Sequence, residues 1–161
     1  MRLNNKIISI LIYSIKNWLH DYGCKKIEVV KTEDYGQYIS AEKIYKNKSY
    51  KLFFYPNESR KIMVFAIRSA INIREDKIGT VLEIFNELNF QDDFSKFYLW
   101  DQDGKTLAYD WINSIDYLES FFDETTLDFI DYILDYFEDV YSSFDRPDGS
   151  KKLLQELKSN R

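Results

Sequence analysis

Three groups of side chains in this chain have the types and spacing for chemistry. Asp101, Asp103 and Gly104, within FYLWDQDGKTLAYDW at residues 97–111, look like the mouth of a calcium loop. An EF-hand needs oxygen ligands at loop positions one, three and five, glycine at six and a bidentate glutamate at twelve. Counted from Asp101, Lys105 falls at five, Thr106 at six and Ile112 at twelve. A lysine ammonium at a ligand position repels the cation, so the aspartates read as turn formers. His20 and Cys24 are the chain's only imidazole and thiol, separated by Gly23. Such a pair needs a third group to orient the base, and no orienting motif accompanies it. The expectation is a helix-end histidine and a small buried thiol, with too few ligands for zinc.

The third group is basic and aromatic. KIYKNKSYKLFFYPNESRK, residues 43–61, interleaves Lys43, Lys46, Lys48, Lys51, Arg60 and Lys61 with Tyr45, Tyr50, Phe53, Phe54 and Tyr55. On strands, these are the parts of a sheet that stacks bases and neutralises phosphates. The alternative is that the lysines guard a sheet edge while the aromatics pack. A net charge of −5 opposes polyanion binding, because like charge repels out to a Debye length of about 10 Å.

Other chemistries lack their parts. The glycines at 23, 36, 79, 104 and 149 never cluster, so there is no Walker loop and no dinucleotide fingerprint. Seventeen acids between residues 81 and 145 leave paired-carboxylate hydrolysis formally open, but most fall where helix periodicity predicts solvent. No catalytic residue, cofactor or metal ligand is assigned, and an enzyme is not expected.

The elements that must position these groups follow from composition and period. With 161 residues, 45% hydrophobic and 17% aromatic, the chain is long enough for one core and short for two. A lone cysteine excludes an internal disulfide and suits the cytoplasm. The opening MRLNNKIISILIYSIKNWL imitates a signal peptide, but no small-residue cleavage site follows and Lys16 cuts the apolar run; neither secretion nor a membrane span is expected. Charge is divided unevenly. Residues 1–80 carry 15 Lys/Arg against 8 Asp/Glu, and residues 81–161 carry 7 against 19. The halves either form two faces for different partners or neutralise each other within one domain or across a dimer.

Ile7, Ile8, Leu11, Ile15, Trp18, Leu19 and Tyr22 predict a helix over 5–22 that stops at Gly23. Ile10, Ile12 and Tyr13 widen its apolar arc and suggest contact on two sides. KIEVVK, YGQYISAEKIYK, SYKLFFY and KIMVFAIRSA read as strands of an antiparallel meander. The last is apolar at odd and even positions alike, as in a strand covered on both faces. A helix is expected over 76–88, an aromatic hairpin with its glycine at positive φ over 94–111, and an acidic amphipathic helix over 125–144. Residues 146–161 begin with turn formers and become basic, which predicts a flexible tail with a loose helical turn or two after a single domain of residues 1–145.

This order and three stretches, VLEIFNELNF, FSKFYLWDQDGKTLAYDW and DETTLDFIDYILDYFEDVYSSF, together with WLHDYG at 18–23, resemble the YbjN family. The resemblance implies an α+β fold: an antiparallel β-meander sheet flanked by helices, ordered α-β-β-β-β-α-β-β-α and similar to type III secretion chaperones. It also implies a non-enzymatic protein-interaction or chaperone-like module in bacterial stress response or regulation, with a protein partner or client and a homodimer among the options. It carries over no catalytic residues. The apolar stripe of the last helix, Leu127, Ile130, Leu134, Phe137, Tyr141 and Phe144, is the candidate partner-binding seam, although packing on its own sheet is the commoner fate of such a stripe. Two alternatives stay open: RNA or single-stranded nucleic-acid binding through strands 43–61, and an immunity-type protein that binds a toxin.

Overall fold

A computed structural model describes residues 2–33, 36–57, 59–90, 95–101, 104–114 and 124–160, with backbone alone for residues 2–8, 95, 124, 125 and 127. Helix α1, Arg2–Asp21, ends in a Schellman motif. Gly23 takes a φ of 81°, its N–H donates to His20 O, and the Cys24 N–H donates to Leu19 O, both at 2.9 Å. Four strands follow, β1 Lys25–Thr32, β2 Gly36–Tyr45, β3 Lys48–Asn57 and β4 Ile62–Asn72. The β2–β3 connection is the two residues Lys46 and Asn47, both at positive φ, 45° and 66°, the mirror-image turn whose twist suits a hairpin. A short 3-10 turn leads into helix α2, Ile78–Asn89. The hairpin β5 Ser95–Trp100 and β6 Thr106–Ser114 comes next, then helices α3, Glu124–Ser143, and α4, Gly149–Ser159.

The six strands form one sheet in the order β1-β2-β3-β4-β6-β5, and every neighbouring pair is antiparallel. Gly104 stands before β6 with a φ of 114°, the positive value expected of the Asp-Gly hairpin; Asp103 itself lies outside the described residues. The fold is therefore α+β, as the sequence predicts.

One face of the sheet carries Ile39, Leu52, Phe54, Phe65, Ile67, Leu107 and Tyr109. These residues share a buried cluster with Ile15 and Leu19 of α1, Val81, Ile84 and Phe85 of α2, and Ile130, Leu134 and Phe137 of α3. Rings lock the two layers together: Phe97 lies 5.5 Å from Phe85, 4.9 Å from Tyr109 and 6.0 Å from Phe137 between centroids. Full burial of each such side chain stabilises the fold by roughly 1.5–3 kcal/mol.

Two expectations change. β4 is central, as its composition predicts, yet its two rows differ: Met63, Phe65 and Ile67 belong to the buried cluster shared with the helices, whereas Ile62, Val64, Ala66 and Arg68 do not. Its second apolar row belongs to an open face rather than to a second helical layer. Residues 146–160 are not a loose tail. Helix α4 packs on α2 and α3, with Leu157 only 8% exposed and Leu153 and Leu154 against the same core. Its three leucines pack where α3 meets α2, a helix about sixty residues earlier in the chain, which local composition does not reveal.

Candidate functional site

The predicted seam of α3 faces inward. Ile130, Leu134 and Phe137 are fully buried, Tyr141 is 9% exposed and Phe144 is half-buried; the Leu127 side chain lies outside the described residues. Ile130, Leu134, Phe137 and Tyr141 close the chain's own core, so in the folded protein they are not a surface that a partner reaches. The acids beside it are not uniformly solvated either. Tyr22 OH donates to Asp131, Tyr45 OH and Lys46 Nζ donate to Asp135, each at 2.7 Å, and Tyr50 OH and Lys48 Nζ donate to the two oxygens of Glu138, also at 2.7 Å. Asp131, Asp135 and Glu138 are spaced four and three apart, so they share one side of the helix.

Two ion pairs of this ladder, Lys46–Asp135 and Lys48–Glu138, join the basic strands to the acidic helix within the chain. Burial, reinforced by hydrogen bonds to the helix acids, pushes the Tyr22 and Tyr50 phenols far up and Tyr45 up to about 12. The Lys46 hydrogen bond, followed by that of Tyr45, holds the Asp135 carboxyl below its ordinary value. Lys43 is engaged as well, donating to Tyr22 O at 2.6 Å and lying 3.9 Å above the Tyr22 ring. Three lysines of the basic aromatic stretch are thus occupied in holding helices to the sheet.

The other residues of that stretch point elsewhere. Because side chains alternate along a strand, Tyr50, Leu52 and Phe54 enter the core while Lys51, Phe53 and Tyr55 project from the face that no described helix covers. There Tyr38 of β2 lies 4.8 Å from the Tyr55 ring and 6.4 Å from the Phe53 ring. Across the sheet, the Arg68 guanidinium sits 5.1 Å from the Tyr98 ring and 4.6 Å from the Trp100 ring, and Nη1 reaches Asp110 Oδ1 at 2.7 Å. A groove of about 540 Å³ runs over this surface, lined in part by Tyr38, Lys51, Phe53, Arg68 and Trp100. Ile44 and Ile112, both about half exposed, extend the apolar area to either side. Rings of this kind offer large contact area with little rotamer entropy to lose, and a guanidinium stacked on them stays rigid.

The sequence reading named Lys51, Phe53 and Tyr55 but missed Tyr38, Arg68, Tyr98 and Trp100, which reach this surface from other strands. A signal was present in β3, whose odd and even positions are both aromatic; two greasy faces on one strand require two places to put them. The remaining candidates lie apart from it. His20 is exposed beside Asp21 at 3.6 Å, whereas Cys24 is buried and its thiol is pushed up to about 11 by desolvation, opposite to the activation of a nucleophilic thiolate. Among the described residues no three His, Cys, Asp or Glu side chains group as metal ligands would. No described helix is long and apolar enough to cross a membrane.

A comparison with curated proteins gives no match. Among solved structures the chain is similar to the "Crystal structure of YbjN, a putative transcription regulator from E. coli", at 13% identity and a TM-score of 0.43, over 68% of this chain and 77% of that one. The profile of the YbjN family, described as "Putative bacterial sensory transduction regulator", matches residues 14–147. With a match across so much of its length, from the middle of α1 to just beyond α3, this chain belongs to the YbjN family.

Proposed function

We propose that this chain is a non-enzymatic regulatory module of the cytoplasm that works by docking a polypeptide partner on the open face of its sheet. The observation that carries the reading is the two clusters of rings on that face, Tyr38, Phe53 and Tyr55 on one side and Tyr98 and Trp100 about Arg68 on the other, outside the helical layer that closes the core. Exposed aromatic surface rimmed by polar groups is what a recognition patch requires. The family description as a regulator fits an activity exercised through binding.

Nucleic acid is the weaker alternative for the same face. A polyanion needs a row of cations to follow its backbone, and Lys43, Lys46 and Lys48 are tied to the helical layer while Arg68 is paired with Asp110. The free edge at β1 suits strand addition poorly, because Lys25, Lys26 and Lys31 are all exposed along it. A photo-crosslinking amino acid placed at Phe53 in living cells should capture a discrete polypeptide, whereas the same group at Glu83 or Lys152 in the helical layer should not. Equal capture from both layers, or adducts with RNA alone, would refute the reading.

A further inference from the structure

The open face has an uneven distribution of charge that the rings do not explain. Lys51 stands directly across the β3–β4 ladder from Arg68, and directly across the β2–β3 ladder from Glu42. Glu42 gives its salt bridge to Lys26, at 2.8 Å, and feels Lys51 only as a lesser Coulombic neighbour. Arg68 spends Nη1 on Ile67 O, Tyr109 O and Asp110 Oδ1, at 3.0, 3.4 and 2.7 Å. Lys51 is exposed and, among the described residues, belongs to no salt bridge. Like charges directly opposite each other on one sheet face destabilise it; Asp110 offsets Arg68, which leaves Lys51 as the member of the pair without an ion pair of its own. Both cations line the groove, and among the described lining residues there is no carboxylate, Asp110 standing beside it on Arg68. The acids of α3 lie on the far side of the sheet, where Lys46 and Lys48 already pair with two of them.

Two residues further along β3 from Lys51 comes Phe53, on the same face, with Tyr55 stacked 5.9 Å beyond it between ring centroids. Successive same-side residues of an extended chain are roughly 6.6–6.8 Å apart, so a peptide running along β3 meets a cation and then a ring at the interval of its own alternate side chains. We infer that the docked segment is extended and acidic, placing a carboxylate against Lys51 and, two residues away, an aromatic side chain on the Phe53–Tyr55 rings. This rests on the reading of the open face as a polypeptide-docking surface, and names the chemistry of what docks.

The test uses the full chain and two fluorescent peptides with blocked termini, Asp-Ser-Phe-Ser-Asp and its amide counterpart Asn-Ser-Phe-Ser-Asn, followed by anisotropy. The acidic peptide should bind, the amide peptide should bind about fivefold more weakly, and Lys51→Glu should weaken the acidic peptide about tenfold while Lys51→Arg keeps it within about twofold. Raising NaCl from about 0.05 to about 0.5 M should lower affinity for the acidic peptide alone. Lys51 is exposed, so these variants should keep the wild-type melting temperature, which is checked alongside. Equal binding of the two peptides, or indifference to Lys51→Glu, overturns the acidic segment while leaving a face-specific crosslink from Phe53 intact. Absence of that crosslink refutes the docking face itself. Tighter binding of an oligothymidine probe with the same Lys51 dependence, or self-association that Lys51→Glu abolishes, would instead assign the face to nucleic acid or to a second copy.

Discussion

Glu138 shows how a single side chain can join two halves of opposite charge. It is 7% exposed, yet both of its oxygens are used, one by Tyr50 OH and one by Lys48 Nζ. A buried carboxylate is tolerable only when its hydrogen bonds are complete. Removing it leaves a buried phenol without its acceptor and a lysine without its counter-charge. Glu138→Ala should therefore lower the unfolding free energy by about 3 kcal/mol, read as a shift in the urea midpoint at constant slope. Glu138→Gln keeps an acceptor for Tyr50 and should lose less. A loss under about 0.5 kcal/mol for the alanine variant, the range of an unremarkable surface change, would mean that the ladder is ornamental.

Among the elements, α4 departs most from what local sequence predicts. Arg146, Pro147 and Asp148 look like the end of structure, and the three apolar residues Leu153, Leu154 and Leu157 are too few to hold an 11-residue helix in water by themselves. Packing on α2 and α3 makes the helix stable. Leu157→Asp should cost about 3 kcal/mol by placing a charge in a nearly closed site, and amide exchange should show α4 opening without the sheet; unchanged stability and exchange would return it to the status of a loose tail. The longer elements were legible because their apolar periods run for several turns or whole strands: α1, α2, α3 and the meander stand within a few residues of their predicted bounds. The ladder was not, because its partners are about 90 residues apart in sequence and no pattern within either segment records the pairing. The open face fell between these cases. Lys51, Phe53 and Tyr55 alternate visibly along β3, but Arg68, Tyr98 and Trp100 join them only once β6 and β5 are laid beside β4.

For the molecule as a whole, phenols are a large part of the glue between layers, and this sets a limit on the alkaline side. Burial raises Tyr141 to about 12 despite the opposing hydrogen bond from Ser69, Tyr45 also stands at about 12, and Tyr22 and Tyr50 are raised further. An unfolded tyrosine ionises near 10. Above about pH 10 the unfolded chain therefore releases protons that the native chain retains, so stability is fully present below that pH and is lost as pH rises towards the folded values. A deeply buried phenol such as Tyr141 contributes a slope of up to about 1.4 kcal/mol per pH unit and the more exposed Tyr45 less, so stability should fall steadily above about pH 10. Tyrosinate absorbance from these residues should rise in step with loss of far-ultraviolet circular dichroism; ionisation of all of them in a chain that keeps its dichroism would contradict the layer contacts.

The placement of the described helices on one side of the sheet also bears on how this architecture can diversify. Side chains that enter the cluster of α1, α2 and α3 must keep their volume, since a change of one methylene is felt throughout a close-packed interior. Positions such as Tyr38, Lys51, Phe53 and Trp100 answer to no such constraint from the helical layer. Descent can rewrite them freely, giving sister proteins with one scaffold and different tastes, and family members should differ most where the sheet looks away from its helices.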